Sequence, residues 1–179
     1  MSDYSKNIVV GANLANEQIE LYKNMRDSNY NKIYPWNYII TGNTYNDSGD
    51  DFTPGTVYKI ENDYAWDFPI KVETVWNDVA LLDIDDFDPV KLDTFRLCID
   101  QQNRYVYCPT PNNANLEETQ FYRLLVVEEA EVNRQKLIKD ENWVAVDDVA
   151  YKVTSKVYWT GRRFSETEVS TIVTDWKKF

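Results

Sequence analysis

The sequence predicts an α+β fold: an antiparallel β-sandwich or barrel-like sheet with an N-terminal amphipathic helix and one longer helix before a C-terminal β-hairpin. Three stretches carry that expectation. Between Val149 and Trp159, the residues Val149, Tyr151, Val153, Ser155, Val157 and Trp159 alternate with Ala150, Lys152, Thr154, Lys156 and Tyr158. Successive strand side chains point to opposite faces, so this reads as a strand with one face buried and one wet. Gly161, Arg162 and Arg163 interrupt it, and a β-branched run from Glu168 to Trp176 completes the hairpin. From Asn13 to Ser28, Leu14, Ala15, Ile19, Leu21, Tyr22 and Met25 form an apolar stripe at helical spacing, opposite Glu17, Glu20, Lys23 and Asn24. Asn115 to Lys139 contains no Gly or Pro and is rich in helix formers. Asn115 followed by Glu118 is a capping-box pattern, and Arg134, Lys136 and Lys139 suit the negative end of a helix dipole. Tyr122 to Val127 is apolar almost all round, however, and the Val126-Val127 pair favours a strand, so a strand through Phe121 to Glu131 is the alternative.

Taken in order, Met1 to Gly11 is polar apart from Ile8, Val9 and Val10. It reads as an N-terminal arm, residues 1–12, ahead of a single domain over 13–179. Asn13 is the expected N-cap of the first helix, and Asp27-Ser28-Asn29 is expected to end it. Ile33 to Thr41 alternates, with Tyr34, Trp36, Tyr38 and Ile40 on one face. Pro35 removes a ladder donor and sends this strand to an edge. The polar run from Gly42 to Gly55 reads as an exposed loop. Thr56–Ile60, Ile70–Trp76 and Val79–Ile84 read as short strands, with Asn77-Asp78 as a tight turn. Phe95–Ile99 and Arg104–Cys108 flank Gln101-Gln102-Asn103 as another hairpin, and Trp143–Val146 reads as a last short strand before the closing pair.

A chain of 179 residues suits one domain and can bury a core without staples. The two cysteines, Cys98 and Cys108, do not make a disulfide framework. They flank a turn and could lie close together, but free, part-buried thiols are expected. No apolar run approaches the ~20 residues of a membrane span, and the N-terminus lacks the pattern of a secretory signal. The formal net charge of −11 opposes direct binding to phosphate backbones and to anionic membranes.

The search for chemistry mostly excludes. The chain has no histidine, which removes the commonest general base and metal ligand and every imidazole-dependent triad. Its five glycines are scattered, so no phosphate-cradling loop forms. Two cysteines are too few for a structural zinc site without histidine. Asp83, Asp85, Asp86 and Asp88, and Asp47, Asp50 and Asp51, are acidic clusters that read as solvated turns, since neither has the spacing of a calcium loop. No enzyme activity, metal or cofactor is expected. The aromatic residues, 15% of the chain, are the stronger signal. Most should fill the core, but Trp36, Tyr38, Tyr64 and Trp66 are candidates for an exposed binding surface. Arg162 and Arg163, at the expected hairpin tip, are the matching basic candidates for an acidic patch on a neighbour.

An acidic chain rich in Asn, Tyr and Asp, without histidine or a catalytic motif, and with a polar arm ahead of an amphipathic helix, resembles tailed-bacteriophage virion structural proteins. The likeness is to connector, collar and tail-ring subunits, over the whole chain in general character and in no motif. It implies a homo-oligomeric ring subunit, made in the host cytoplasm and located in the virion, that acts as an adaptor to other virion structural proteins. An acidic lumen would let DNA pass without sticking, with no sequence-specific contact to it, and heterologous interfaces would close the ring. The rival expectation is a carbohydrate- or ligand-binding β-rich module using exposed Trp and Tyr. An acidic mimic of DNA ranks third, because lysines and arginines are interspersed with the acids.

Overall fold

In the computed structural model, the structure describes residues 3–39, 51–62, 70–76, 92–109, 115–130, 150–161 and 164–174. Among the described residues, one long helix, α1 (Asp3–Asn31), lies against a seven-stranded sheet. The strands are β1 (Thr56–Asn62), β2 (Ile70–Trp76), β3 (Arg96–Ile99), β4 (Tyr105–Tyr107), β5 (Glu117–Ala130), β6 (Ala150–Trp159) and β7 (Ser165–Thr174). All pairings are antiparallel, and the sheet curls into a half-barrel. The class is α+β, as the sequence implies.

The sheet is organised around β5. Along one edge it pairs with β6 from Phe121↔Trp159 to Ala130↔Ala150. Along the other it is shared: its first half pairs with β3, and Leu125 to Val127 pair with β1. The remaining strands flank these, β2 on β1, β4 on β3 and β7 on β6. Because β5 is central, it is buried on both faces. Phe121, Arg123, Leu125 and Val127 lie on the face that packs under α1. Tyr122, Leu124 and Val126 cluster on the opposite face with Val57, Phe95 and Tyr158. A strand covered on both sides reads as a continuous apolar run instead of an alternation. That corrects the helix expected over Asn115–Lys139: residues 117–130 are strand, as in the alternative reading, and 131–139 lie outside the described residues.

The helix is longer than its sequence stripe. It starts at Asp3, so Asn13 lies inside it and is not its N-cap, and the segment read as an arm forms its first turns. Those turns dock on the sheet. Gln120 Nε2 donates to Asn7 Oδ1 at 3.0 Å, and Val10 packs against the core cluster that includes Leu97, Phe121 and Trp159. Gly11 explains the close approach: a Cβ there would meet the Trp159 ring at 3.0 Å and Thr167 Cγ2 at 3.1 Å. From Gly11 onward the helix buries Leu14, Ala15, Gln18, Ile19, Leu21, Tyr22 and Met25, the expected stripe with one polar intruder.

The helix stops in a Schellman motif. Tyr34 N donates to Asn29 O at 2.9 Å and Ile33 N to Tyr30 O at 3.2 Å, which puts Ile33 at the left-handed position usually held by glycine. Its φ is 65°. A β-branched side chain is strained there, and this one is 93% exposed, so burial does not offset the strain. Ile33→Gly is expected to raise stability by about 1 kcal/mol, the left-handed penalty less the entropy cost of glycine, read as a higher urea midpoint at unchanged slope. An unchanged midpoint would mean that the strain is absorbed elsewhere.

The turn corrects the strand expected over Ile33–Thr41 as far as residue 39, and residues 40 and 41 lie outside the described residues. Within 33–39 the only sheet-like contact described is an isolated bridge, Tyr38↔Asp51. Strands β1, β2, β3, β4, β6 and β7 lie where the sequence puts strands, give or take a few residues. The expected strands at Val79–Ile84 and Trp143–Val146, the Asn77-Asp78 turn and most of the Gly42–Gly55 loop lie outside the described residues. Cys98 and Cys108 are not free thiols. They form a disulfide across β3 and the end of β4, with Cα atoms 5.1 Å apart. Leu97 and Tyr107 pair in the ladder and both point toward α1, so by alternation Cys98 and Cys108 share the other face.

Candidate functional site

The sequence-derived candidates do not come together. Trp36 is 8% exposed and packs on the Tyr151 ring, centroids 4.9 Å apart, because the turn after Ile33 folds it inward onto β6. Tyr38 is half-buried and stacks on Tyr34 at 5.2 Å, planes 21° apart. Its carbonyl accepts from Asn29 Nδ2 at 2.7 Å. Trp36 and Tyr38 thus help to seal the end of the helix, and each already has a ring partner from the same chain. Tyr64, Trp66, Arg162 and Arg163 lie outside the described residues, as do the aspartates from Asp83 to Asp88 and Asp47 and Asp50. Among the described residues, no three potential ligands are grouped to hold a metal ion.

The strongest constellation is one that the sequence reading did not single out, a polar seam buried between α1 and the sheet. Ser155 on β6 donates to Gln18 Oε1 at 2.6 Å. Gln18 Nε2 donates to the Tyr107 hydroxyl at 3.0 Å, and that hydroxyl donates to the Arg123 carbonyl at 2.9 Å. Arg123 is fully buried. Its Nη1 donates to Glu17 Oε2 at 3.2 Å and reaches Leu14 O at 3.5 Å, while Nη2 reaches Ile60 O at 3.4 Å. The guanidinium also lies over the Tyr107 ring, 5.5 Å from its centroid. One chain of contacts therefore ties the helix to β1, β4, β5 and β6.

Electrostatics make this seam a clamp. Burial pushes the Tyr107 phenol above its ordinary range, and Arg123 opposes the shift only in part. The phenol stays protonated and keeps both hydrogen bonds. Arginine keeps its charge under any ordinary condition, and Glu17, 42% exposed, balances it from the rim. A second buried group, Tyr22, has its phenol raised by burial and by nearby Tyr151, and its hydroxyl has no described partner. Both seam and phenol sit inside packed core, so the seam's chemistry is to orient the helix.

A polar residue on an otherwise apolar face is the signal that could have found the seam. Gln18 lies among Leu14, Ala15, Ile19 and Tyr22, Arg123 lies between Phe121 and Leu125, and Ser155 lies between Val153 and Val157. Such positions are tolerated only when the polar group is partnered.

Exposed apolar side chains are the other notable surface feature. Tyr4, Ile8 and Val9 are exposed at the start of α1, Ile33 just past its end and Ile172 on β7. No family model, curated protein or solved structure matches the chain.

Proposed function

We propose that this chain is a non-catalytic structural subunit of a tailed-bacteriophage virion, of the head-tail connector, collar or tail-ring kind. It packs with copies of itself into a ring and joins neighbouring virion proteins. The supporting observation is the placement of exposed apolar side chains at opposite ends of one rigid helix. α1 is 29 residues long, about 43 Å at the usual helical rise, with Tyr4, Ile8 and Val9 at one end and Ile33 beyond the other. Patches that far apart cannot cover each other within one copy, and contact between unlike patches of successive copies is the heterologous kind that closes rings. In this reading Arg162 and Arg163, which the sequence places between β6 and β7, meet an acidic patch on a neighbour. The net charge of −11 keeps a DNA conduit non-adhesive. The disulfide fits a particle that leaves the cell for oxidising surroundings.

Light scattering on the purified chain over a wide concentration range tests the reading. A discrete oligomer is expected, and Ile8→Ser combined with Val9→Ser should lower its mass without unfolding the subunit. A strict monomer throughout, or an oligomer indifferent to the double variant, would overturn the head-to-tail packing.

A further inference from the structure

We infer that β7 is a homodimerisation edge, on which a second copy of this chain adds its own β7 antiparallel about a two-fold axis. β7 is ten residues long and pairs in register with β6 along its whole length, without the shifts that mark the β1–β2 and β3–β5 pairings. Its outer edge has no described neighbour. Monomeric proteins usually blunt such an edge with a bulge, a proline, charged side chains, a very short strand or a covering helix or loop; among the described residues β7 shows charges alone, Glu166 and Glu168 in its first half. Between Ser165 and Thr174 there is no proline, glycine, lysine or arginine, and the regular register leaves no bulge. The strand is instead rich in valine and threonine, and Ile172 stands 66% exposed on its solvent face.

Strand direction favours a second β7 over other partners in the sheet. Along the path β7-β6-β5-β1-β2 every pair is antiparallel, so β7 and β2 run the same way. Continuing the sheet from β2 of one copy to β7 of the next would therefore give a parallel ladder, the less stable kind per residue. Two β7 strands meeting about a two-fold axis give an antiparallel one.

Charge then narrows the register. The solvent face carries Glu166, Glu168, Ser170 and Ile172, alternating with Thr167, Val169 and Thr171 on the helix side. A two-fold axis at Glu168 would put like charges directly opposite each other, which is destabilising. An axis at Ser170 puts Glu168 opposite Ile172 and Glu166 opposite Thr174. On the helix side it sets Val169 against Thr171 and Thr167 against Val173, so the inner surface of both copies becomes continuous. This inference does not need the ring reading: a β7 pair forms whether or not α1 makes head-to-tail contacts.

The register assigns opposite effects to two substitutions at one exposed position. Ile172→Glu places two glutamates opposite two others across the axis, while Ile172→Lys places two lysines opposite them. Sedimentation equilibrium should be measured on both variants in the Ile8→Ser/Val9→Ser background, which removes the α1 contacts. Against that background alone, Ile172→Glu is expected to raise the dimer dissociation constant about tenfold, and Ile172→Lys to leave it equal or lower it. Lys152 lies directly opposite residue 172 on β6, so the unfolding temperature of dilute samples should rise slightly for Ile172→Glu and fall slightly for Ile172→Lys, the reverse of the order expected for dimerisation. Equal weakening by both substitutions, indifference to both, or a monomer up to several hundred micromolar would overturn the β7 dimer while leaving the α1 contacts to stand or fall on their own test.

Discussion

Replacing Arg123 by alanine is expected to cost about 3–4 kcal/mol of stability, because it empties a large buried site and strips the donors from the helix–sheet seam. Arg123 has no exposed surface. Its loss leaves Leu14 O and Ile60 O without the guanidinium and removes the face on which the Tyr107 ring rests. The ion pair is a smaller part of the effect. Glu17 is 42% exposed, and a pair with one partner in water is worth about 1 kcal/mol or less. Three variants separate the two contributions in urea denaturation. Glu17→Gln should shift the midpoint slightly, Arg123→Met should lose an intermediate amount because the methionine fills most of the volume, and Arg123→Ala should lose most. If Glu17→Gln cost as much as Arg123→Ala, the seam would be an ion pair first and a packing element second, contrary to its geometry.

This seam also marks the limit of what pattern reading could deliver. Strand β7 was legible as a β-branched run and β6 by the alternation from Val149 to Trp159, although Ala150, Thr154 and Tyr158 on the face of β6 expected to be wet are buried. The core stripe of α1 was legible from its spacing, although its first turns were not: Tyr4, Ile8 and Val9 face solvent, and their turns are held by Asn7, Val10 and Gly11, which form no apolar stripe. β5 was misread because its identity is a tertiary property. Nothing local tells a strand covered on both faces from a buried helix, and the helix formers in Asn115–Lys139 tipped the reading the wrong way. The positions of Trp36 and Tyr38 depended on the chain turning at Ile33, where an isoleucine does what a glycine would have announced. The pairing of Gln18, Tyr107, Arg123 and Ser155 spans up to 137 residues of sequence, which no spacing rule reaches.

The disulfide carries the other large expected effect. Replacing Cys98 and Cys108 together by alanine should cost about 2–3 kcal/mol, the chain-entropy value for a loop of roughly ten residues. The loop is short, so that figure alone would be modest for a staple. What it closes makes it matter: β3 and β4 are only four and three residues long, and a hairpin of that size is marginal by itself. The bridge holds β4 beside β3 on one face while Tyr107 reaches from the other into the seam, accepting from Gln18 and donating to the Arg123 carbonyl. Opening the bridge should therefore loosen the anchor of the helix as well as the hairpin. The two effects should be coupled. In a double-mutant cycle, the cysteine pair and Arg123→Ala together are expected to cost less than the sum of the two separately, since Arg123→Ala removes the guanidinium over the Tyr107 ring, one of the contacts that the open bridge already loosens, while the Arg123 carbonyl still accepts from the Tyr107 hydroxyl. Wild-type protein held in reductant should match the double-alanine variant. Strict additivity would show that the bridge stabilises only its own hairpin, and an unchanged urea midpoint would show that the packing of Leu97 and Tyr107 holds the hairpin without it.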